Sequence, residues 1–126
     1  MKNYKLKIFH NNKCSKSRAL IKILEDKTVN FETINYLNET LDVSFLRETL
    51  NVLCGDISEV IRSNEKLFKT KFNQVKIDLD IDNIIDKLIN NPILIQRPIV
   101  VIIKNGKITK SIICRPPEKI LDFLIS

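Results

Sequence analysis

Lys5-Leu-Lys-Ile-Phe-His10-Asn-Asn-Lys-Cys14-Ser-Lys-Ser-Arg18-Ala-Leu-Ile-Lys-Ile-Leu-Glu25 changes its period partway along. As far as His10, polar and apolar residues alternate, which puts Leu6 and Ile8 on one face of a strand. Asn11-Asn12-Lys13 breaks the alternation as a polar turn. Ala19 to Glu25 then has the apolar density and length of a helix whose start falls at Cys14 or Ser15. Phe31-Glu-Thr-Ile-Asn-Tyr36 alternates again as a second strand. Strand, helix and strand within 36 residues read as a right-handed parallel crossover.

Working outward, Asp42 or Ser44 can cap a helix running through Phe45, Leu46 and Leu50 to Leu53, with Gly55 closing it. Ile57 to Phe72 is less regular, but Ile57, Val60, Ile61, Leu67 and Phe68 lie at helical spacings that suggest short helices. Asp80 or Asp82 opens another helix through Ile84, Ile85, Leu88 and Ile89. It must stop near Asn90-Asn91-Pro92, because proline lacks a donor and pushes its predecessor out of helical geometry. Pro98 to Ile103 is a strand, Lys104-Asn105-Gly106-Lys107 a hairpin turn and Ile108 to Cys114 the partner strand, Asn-Gly being the strongest short hairpin signal. Arg115-Pro116-Pro117-Glu118 leads into a last helix with Ile120, Leu121, Leu124 and Ile125 apolar. The layout β-α-β, helical insertion, β-β-α predicts an α/β fold with a mixed four-stranded sheet flanked by helices. That is the thioredoxin-like arrangement, in a single domain over residues 1–126 with a helical lobe inserted at roughly 40–92.

Composition limits the function classes. A chain of 126 residues can close one core, and its wealth of Leu, Ile, Val and Phe, with only six Pro and Gly, excludes disorder and collagen-like repeats. The net charge of +6 would suit a polyanion. Yet aromatics are few, Trp is absent and the lysines are spread without a cluster, so nucleic acid is not the expected partner. Sixteen of the 21 basic residues are Lys, so the five arginines, Arg18, Arg47, Arg62, Arg97 and Arg115, each call for a reason. Three cysteines at wide, irregular spacing and a single His fit neither a disulfide framework nor a structural metal. With no signal-like or membrane-spanning run, a cytoplasmic, monomeric protein with reduced thiols is expected.

Cys14 stands where a strand meets a helix, and amides at a helix start stabilise a thiolate. Arg18, four residues on, lies one turn above it and can add a full charge. Ser17 can donate a hydrogen bond, and His10, at the end of the first strand, could adjoin the loop or simply face solvent. A Cys-x-x-Cys centre would need a second Cys where Ser17 stands, and a Cys-x5-Arg phosphatase loop would need Arg where Leu20 stands. What remains, if Cys14 is not merely structural, is a single thiolate resolved by an external thiol. In a thioredoxin-like sheet the X-Pro bond of Arg97-Pro98 lies beside the first helix and is commonly cis. The hairpin excursion brings Arg115 back to the edge where Arg97 begins, so two guanidinium forks can face one pocket and suit a tetrahedral oxyanion. Two surface arginines pairing with carboxylates is the alternative.

Phe9-His10-Asn11-Asn12-Lys13-Cys14-Ser15-Lys16-Ser17-Arg18, Asn91-Pro92-Ile93-Leu94-Ile95-Gln96-Arg97-Pro98-Ile99-Val100 and Cys114-Arg115-Pro116-Pro117-Glu118 together resemble the glutaredoxin-coupled arsenate reductases. The resemblance runs from about residue 5 to 125 and implies the same thioredoxin-like fold with a helical insert. It implies Cys14 as nucleophile, with His10, Ser17 and Arg18 around it, and Arg97 and Arg115 as two of three oxyanion-binding arginines. Arg62 is the candidate for the third, although Ser63 follows it where the family usually has Lys. Asn12 for a usual Pro, Ala19 for a usual Asn and a longer hairpin are further departures. By the same resemblance the thiolate attacks arsenate, glutathione joins the arsenic as co-substrate, and glutaredoxin is the partner that removes it as arsenite leaves. No tightly bound cofactor or metal is implied. The competing readings are a thiol protein of the superfamily without arsenate activity and a regulator that binds RNA polymerase. A disulfide-stress sensor of the second kind would use the Cys-x-x-Cys that Ser17 interrupts.

Overall fold

The computed structural model describes residues 4–62 and 80–125. Strand β1 (Tyr4–Phe9) is followed by helix α1 (Ser15–Asp26) and strand β2 (Phe31–Ile34). Helix α2 (Val43–Asn51), a 3-10 turn (Ile57–Val60), helix α3 (Ile81–Asn90) and a second 3-10 turn (Pro92–Leu94) form the helical segment between the two halves of the sheet. Strands β3 (Ile99–Lys104) and β4 (Lys107–Ile113) and helix α4 (Lys119–Ile125) complete the chain. The expected short helices between Ser63 and Phe72, with Leu67 and Phe68, lie outside the described residues.

The sheet has the order β2-β1-β3-β4. β1 runs parallel to β2 and antiparallel to β3, and β3 runs antiparallel to β4, which is the mixed sheet expected from sequence. β3 occupies an interior position with both faces covered, which explains why Ile99-Val-Val-Ile102 is apolar without alternation. On one side Leu6, Ile8, Val100 and Ile102 pack against Leu20 and Leu24 of α1 and Ile120 and Phe123 of α4. On the other, Phe9, Ile99 and Val101 meet Leu46 and Leu50 of α2 and Ile84, Ile85 and Leu88 of α3. Asn105 and Gly106, with φ of 52° and 77°, make the β3–β4 turn in the left-handed geometry that Asn-Gly favours.

Asp42 caps α2 by accepting from the Phe45 amide at 3.1 Å, and Asp80 caps α3 by accepting from the Asn83 amide at 2.8 Å. Two boundaries differ from expectation. α2 ends at Asn51 instead of running to Leu53 with Gly55 closing it, because the chain there turns to cover the exposed edge of β4. Leu53 bridges to Ser111, and the Cys54 amide donates to the Ser111 carbonyl at 2.8 Å. β2 stops at Ile34, two residues early, where the Tyr36 amide turns back to donate to the Ile34 carbonyl at 3.0 Å. That turn carries the Tyr36 ring into the core, where it is fully buried. No helix among the described residues is long and apolar enough to cross a membrane.

Candidate active site

Strand register brings the site together. Phe9 pairs with Ile99, and Ile99 pairs with Ile113, so the C-terminal end of β1, the start of β3 and the end of β4 share one edge of the molecule. The chain leaving β1 enters His10–Lys13 and then α1, the chain entering β3 carries Arg97-Pro98, and the chain leaving β4 carries Cys114-Arg115. The Cys114 amide donates to the Pro98 carbonyl at 2.9 Å, fastening the last two to each other. The Arg97–Pro98 and Arg115–Pro116 peptide bonds are both cis.

Asn11 shapes the loop before α1. Its carbonyl accepts from the Cys14 amide at 3.0 Å, its side-chain Oδ1 accepts from the Lys13 amide at 3.0 Å, and its own amide points to Ser17 Oγ at 3.5 Å. Asn11 and Ser17 are both buried. Cys14 is the N-cap residue, extended at φ −95° and ψ 123°, so its side chain sits outside the first turn, facing the free amides of the helix. Partial burial of the thiol works against ionisation, but it is outweighed by the Ser17 amide, the nearby Arg97 guanidinium with its positive charge, and the Lys16 amide. Together they bring the Cys14 thiol down to about 7. Buried Cys114 is the opposite case, with desolvation pushing its thiol up to about 12.

The charge that reaches the thiol is therefore that of Arg97, not of Arg18 as spacing along the helix suggested. Arg18 Nη1 instead donates to the Asn12 carbonyl at 3.0 Å, tying helix to loop. The reason is rotameric reach: the N-cap residue lies outside the helical path, so a residue four positions on need not stand over it. Ser17 likewise serves the thiol through its backbone amide, while its hydroxyl faces Asn11. His10 is half-buried, and burial, followed by the nearby charge of Arg18, lowers its pKa, so the imidazole is neutral at pH 7.

Arg97 is partly buried, and its Nε and Nη1 are sealed from solvent with no hydrogen-bond partner among the described residues. Arg115 Nη1 donates to the Arg97 carbonyl at 2.9 Å, so those two arginines stand side by side. Arg62 comes in on a neighbouring segment: Ile61 bridges to Ile95, the Arg62 amide donates to the Leu94 carbonyl at 2.8 Å, and the Gln96 amide donates to the Val60 carbonyl at 2.8 Å. Arg97, Arg62 and Cys14 all act electrostatically on the phenol of Tyr36. A polarised thiolate near a guanidinium with two unpartnered buried donors, those of Arg97, is equipped to bind a small oxyanion and attack its central atom.

Against known proteins, the model of the ArsC family matches residues 9–123. The chain belongs to the ArsC family. Among its relatives, the uncharacterized protein YfgD of Escherichia coli K12 is 37% identical over 120 residues, covering 94% of this chain and 96% of that one. An arsenate reductase of Neisseria meningitidis is 34% identical over 116 residues, covering 91% and 94% of the two chains. The solved structure of an arsenate reductase from Vibrio cholerae superposes with a TM-score of 0.78 at 31% identity, over 96% of this chain and 98% of that one. These neighbours share the mixed sheet with flanking helices, so the thioredoxin-like reading of the fold holds for this ArsC-family chain.

Two residues of the site had no part in the sequence reading. Asn11 was only a polar turn residue, and Tyr36 only the last position of an alternating strand. The signal for Tyr36 was available: in a sheet with parallel strands, ligands bind beyond their carboxyl ends, and Tyr36 follows β2 as Cys14 follows β1.

Proposed function

We propose that this chain is an arsenate reductase that works through the single thiolate of Cys14, with glutathione as co-substrate and glutaredoxin as partner. The observation that carries the reading is the Cys14–Arg97 pair: a thiol whose ionisation a guanidinium favours, that guanidinium having two buried donors without a partner. The names of the Neisseria and Vibrio relatives supply the anion, and the cysteine pattern supplies the need for external thiols.

Arsenate is negatively charged at neutral pH, so an attacking thiolate meets like-charge repulsion that Arg97, Arg115 and Arg62 offset. Cys14 forms a sulfur–arsenic bond as one arsenate oxygen leaves as water. Glutathione thiol then takes a second position on arsenic, again with loss of water. A glutaredoxin thiolate attacks the glutathione sulfur; the sulfur–arsenic bond to glutathione breaks, its electron pair reduces arsenic(V) to arsenic(III), and a glutathione–glutaredoxin disulfide forms. Hydrolysis of the remaining sulfur–arsenic bond releases arsenite and restores Cys14. Ser17 at the would-be second redox position offers no thiol to resolve the adduct, which is why the two electrons are assigned to glutathione and glutaredoxin.

The test is a coupled assay with arsenate, glutathione, glutaredoxin, glutathione reductase and a reduced nicotinamide. Turnover is expected that requires arsenate and each thiol component and disappears in Cys14→Ser. Turnover surviving in that variant, or undiminished without glutathione, would overturn the reading. Arsenate-independent binding to RNA polymerase with no reduction would favour a regulator instead.

A further inference from the structure

Five side-chain atoms among the described residues are sealed from water and lack a hydrogen-bond partner, and all but the Tyr4 hydroxyl belong to the end of the sheet where Cys14 follows β1: Arg97 Nε, Arg97 Nη1, His10 Nδ1 and the Tyr36 hydroxyl. An orphaned buried polar group keeps the full cost of its lost hydration, and folded proteins leave few of them unless a bound group completes them. The arginine positions are absorbed by the oxyanion reading, and the imidazole nitrogen borders the same loop. The phenol has no use in the mechanism above, although it lies deepest.

Tyr36 is completely buried, wedged in the core that includes Leu46, Leu94 and Ile95. Its ring is therefore fixed, and register places it at the site: Phe9 pairs with Ile34, and the His10 and Tyr36 amides both donate to the Ile34 carbonyl, so Tyr36 lies beside the chain that leads through Asn11 to Cys14. Asn11 approaches the phenol but makes no hydrogen bond of normal geometry with it. We propose that the Tyr36 hydroxyl is a further oxyanion-binding group, donating a hydrogen bond to the innermost oxygen of the tetrahedral anion that the arginines hold. The inference rests on the oxyanion reading and adds a donor of a different kind. A neutral O–H contributes direction without adding charge that would bind the thiolate in place of substrate. Burial, more than its neighbours' positive charge can offset, holds the phenol above its ordinary pKa, so the donor proton is present throughout the neutral range.

The experiment is Tyr36→Phe, which removes one oxygen and keeps the ring in the core. In the coupled assay the arsenate KM is expected to rise about tenfold or more, the scale of one hydrogen bond to a charged group. The pH midpoint of Cys14 alkylation, measured without any anion, is expected to stay where it is in the wild type. A wild-type KM in the variant overturns the role of Tyr36 while leaving the oxyanion reading intact. A shifted alkylation midpoint also overturns it, because the phenol would then be a prop for the thiol. Absence of arsenate turnover in the wild type overturns the oxyanion reading and this inference with it. If Tyr36→Phe does not fold, 3-fluorotyrosine incorporated in a Tyr4→Phe background carries the test: a more acidic phenol donates more strongly and lowers KM, and an unchanged KM overturns the proposal.

Discussion

Arg115 donates through Nη1 to the carbonyl oxygen of Arg97 at 2.9 Å, so one arginine of the candidate site braces the backbone that carries the other. The two substitutions with Lys should therefore have separable effects. Arg115→Lys loses the brace and a fork but leaves the thiol's own partners in place. It is expected to lower kcat/KM for arsenate about tenfold or more with little change in the reactivity of Cys14. Arg97→Lys, which removes the guanidinium that favours the thiolate, should impair both. Steady-state kinetics beside iodoacetamide labelling distinguishes them, and equal kinetics in both variants and the wild type would argue against an arginine-lined seat.

Thiol reactivity gives the pH dependence directly. With Cys14 brought down to about 7, the thiolate dominates above that pH and alkylation should be nearly level there. Below it, the rate should fall by about a factor of ten per pH unit, since each unit leaves only about a tenth of the thiolate. Arg97→Gln removes one of the groups that favour the thiolate and must move the midpoint upward. Because the folded-state value is depressed, the thiolate's stabilisation of the fold is complete only above the pKa of an unfolded cysteine and is lost as pH falls through about 7. Mass spectrometry that follows the Cys14 peptide separates it from exposed Cys54, and buried Cys114 should stay unlabelled.

Ser17→Ala probes which part of that residue matters. The Ser17 backbone amide supports the thiolate, whereas the hydroxyl faces the Asn11 amide at a long 3.5 Å. Replacing the side chain leaves the amide in place, so the alkylation midpoint should move by only a few tenths of a unit, and turnover should fall less than in Arg97→Lys. A midpoint that rises as far as in Arg97→Gln would show the hydroxyl to be the true partner.

The elements were legible because their signals are local. Alternation in β1, the run of β3, Asn105-Gly106 and the capping residues Asp42 and Asp80 each fix a short segment, and together they leave few ways to connect the sheet. What sequence could not supply was the direction of side chains across the site. Spacing put Arg18 over Cys14, but the charge arrives from Arg97, 83 positions further along, through strand register. Tyr36 escaped because its use depends on where β2 stops, and a two-residue shortening turned a strand position into a buried group at the site. Arg62, Arg97 and Arg115 were named as a set through family resemblance, since no local pattern joins three arginines so far apart.

The helical segment should depend on burial. Leu88 on α3 is fully buried against the sheet, in a cluster with Leu46, Leu50 and Ile84. Leu88→Ala removes packed methyl groups and leaves a cavity, for an expected loss of about 2–5 kcal/mol in chemical denaturation. The same variant, assayed well below its unfolding temperature, should retain a Cys14 midpoint near that of the wild type, because α3 supplies none of the thiol's partners.

Arg47 is the arginine that the site does not claim, and it provides the contrasting case. Its Nη1 lies 2.7 Å from Asp82 Oδ1, linking α2 to the first turn of α3, but Asp82 is largely in water and Arg47 is partly so. An exposed pair gains little because solvent screens the attraction and two long side chains lose freedom in making it. Arg47→Ala is therefore expected to cost less than about 1 kcal/mol in urea unfolding. Arsenate kinetics should be unchanged, in contrast to the losses in Arg97→Lys and Arg115→Lys. A double-mutant cycle with Asp82→Ala isolates the coupling, which should shrink further in high salt. If Arg47→Ala instead lowered turnover as strongly as the Arg97 change, the division between site arginines and surface cations would fail, and the excess positive charge would have to act as a general field over the molecule.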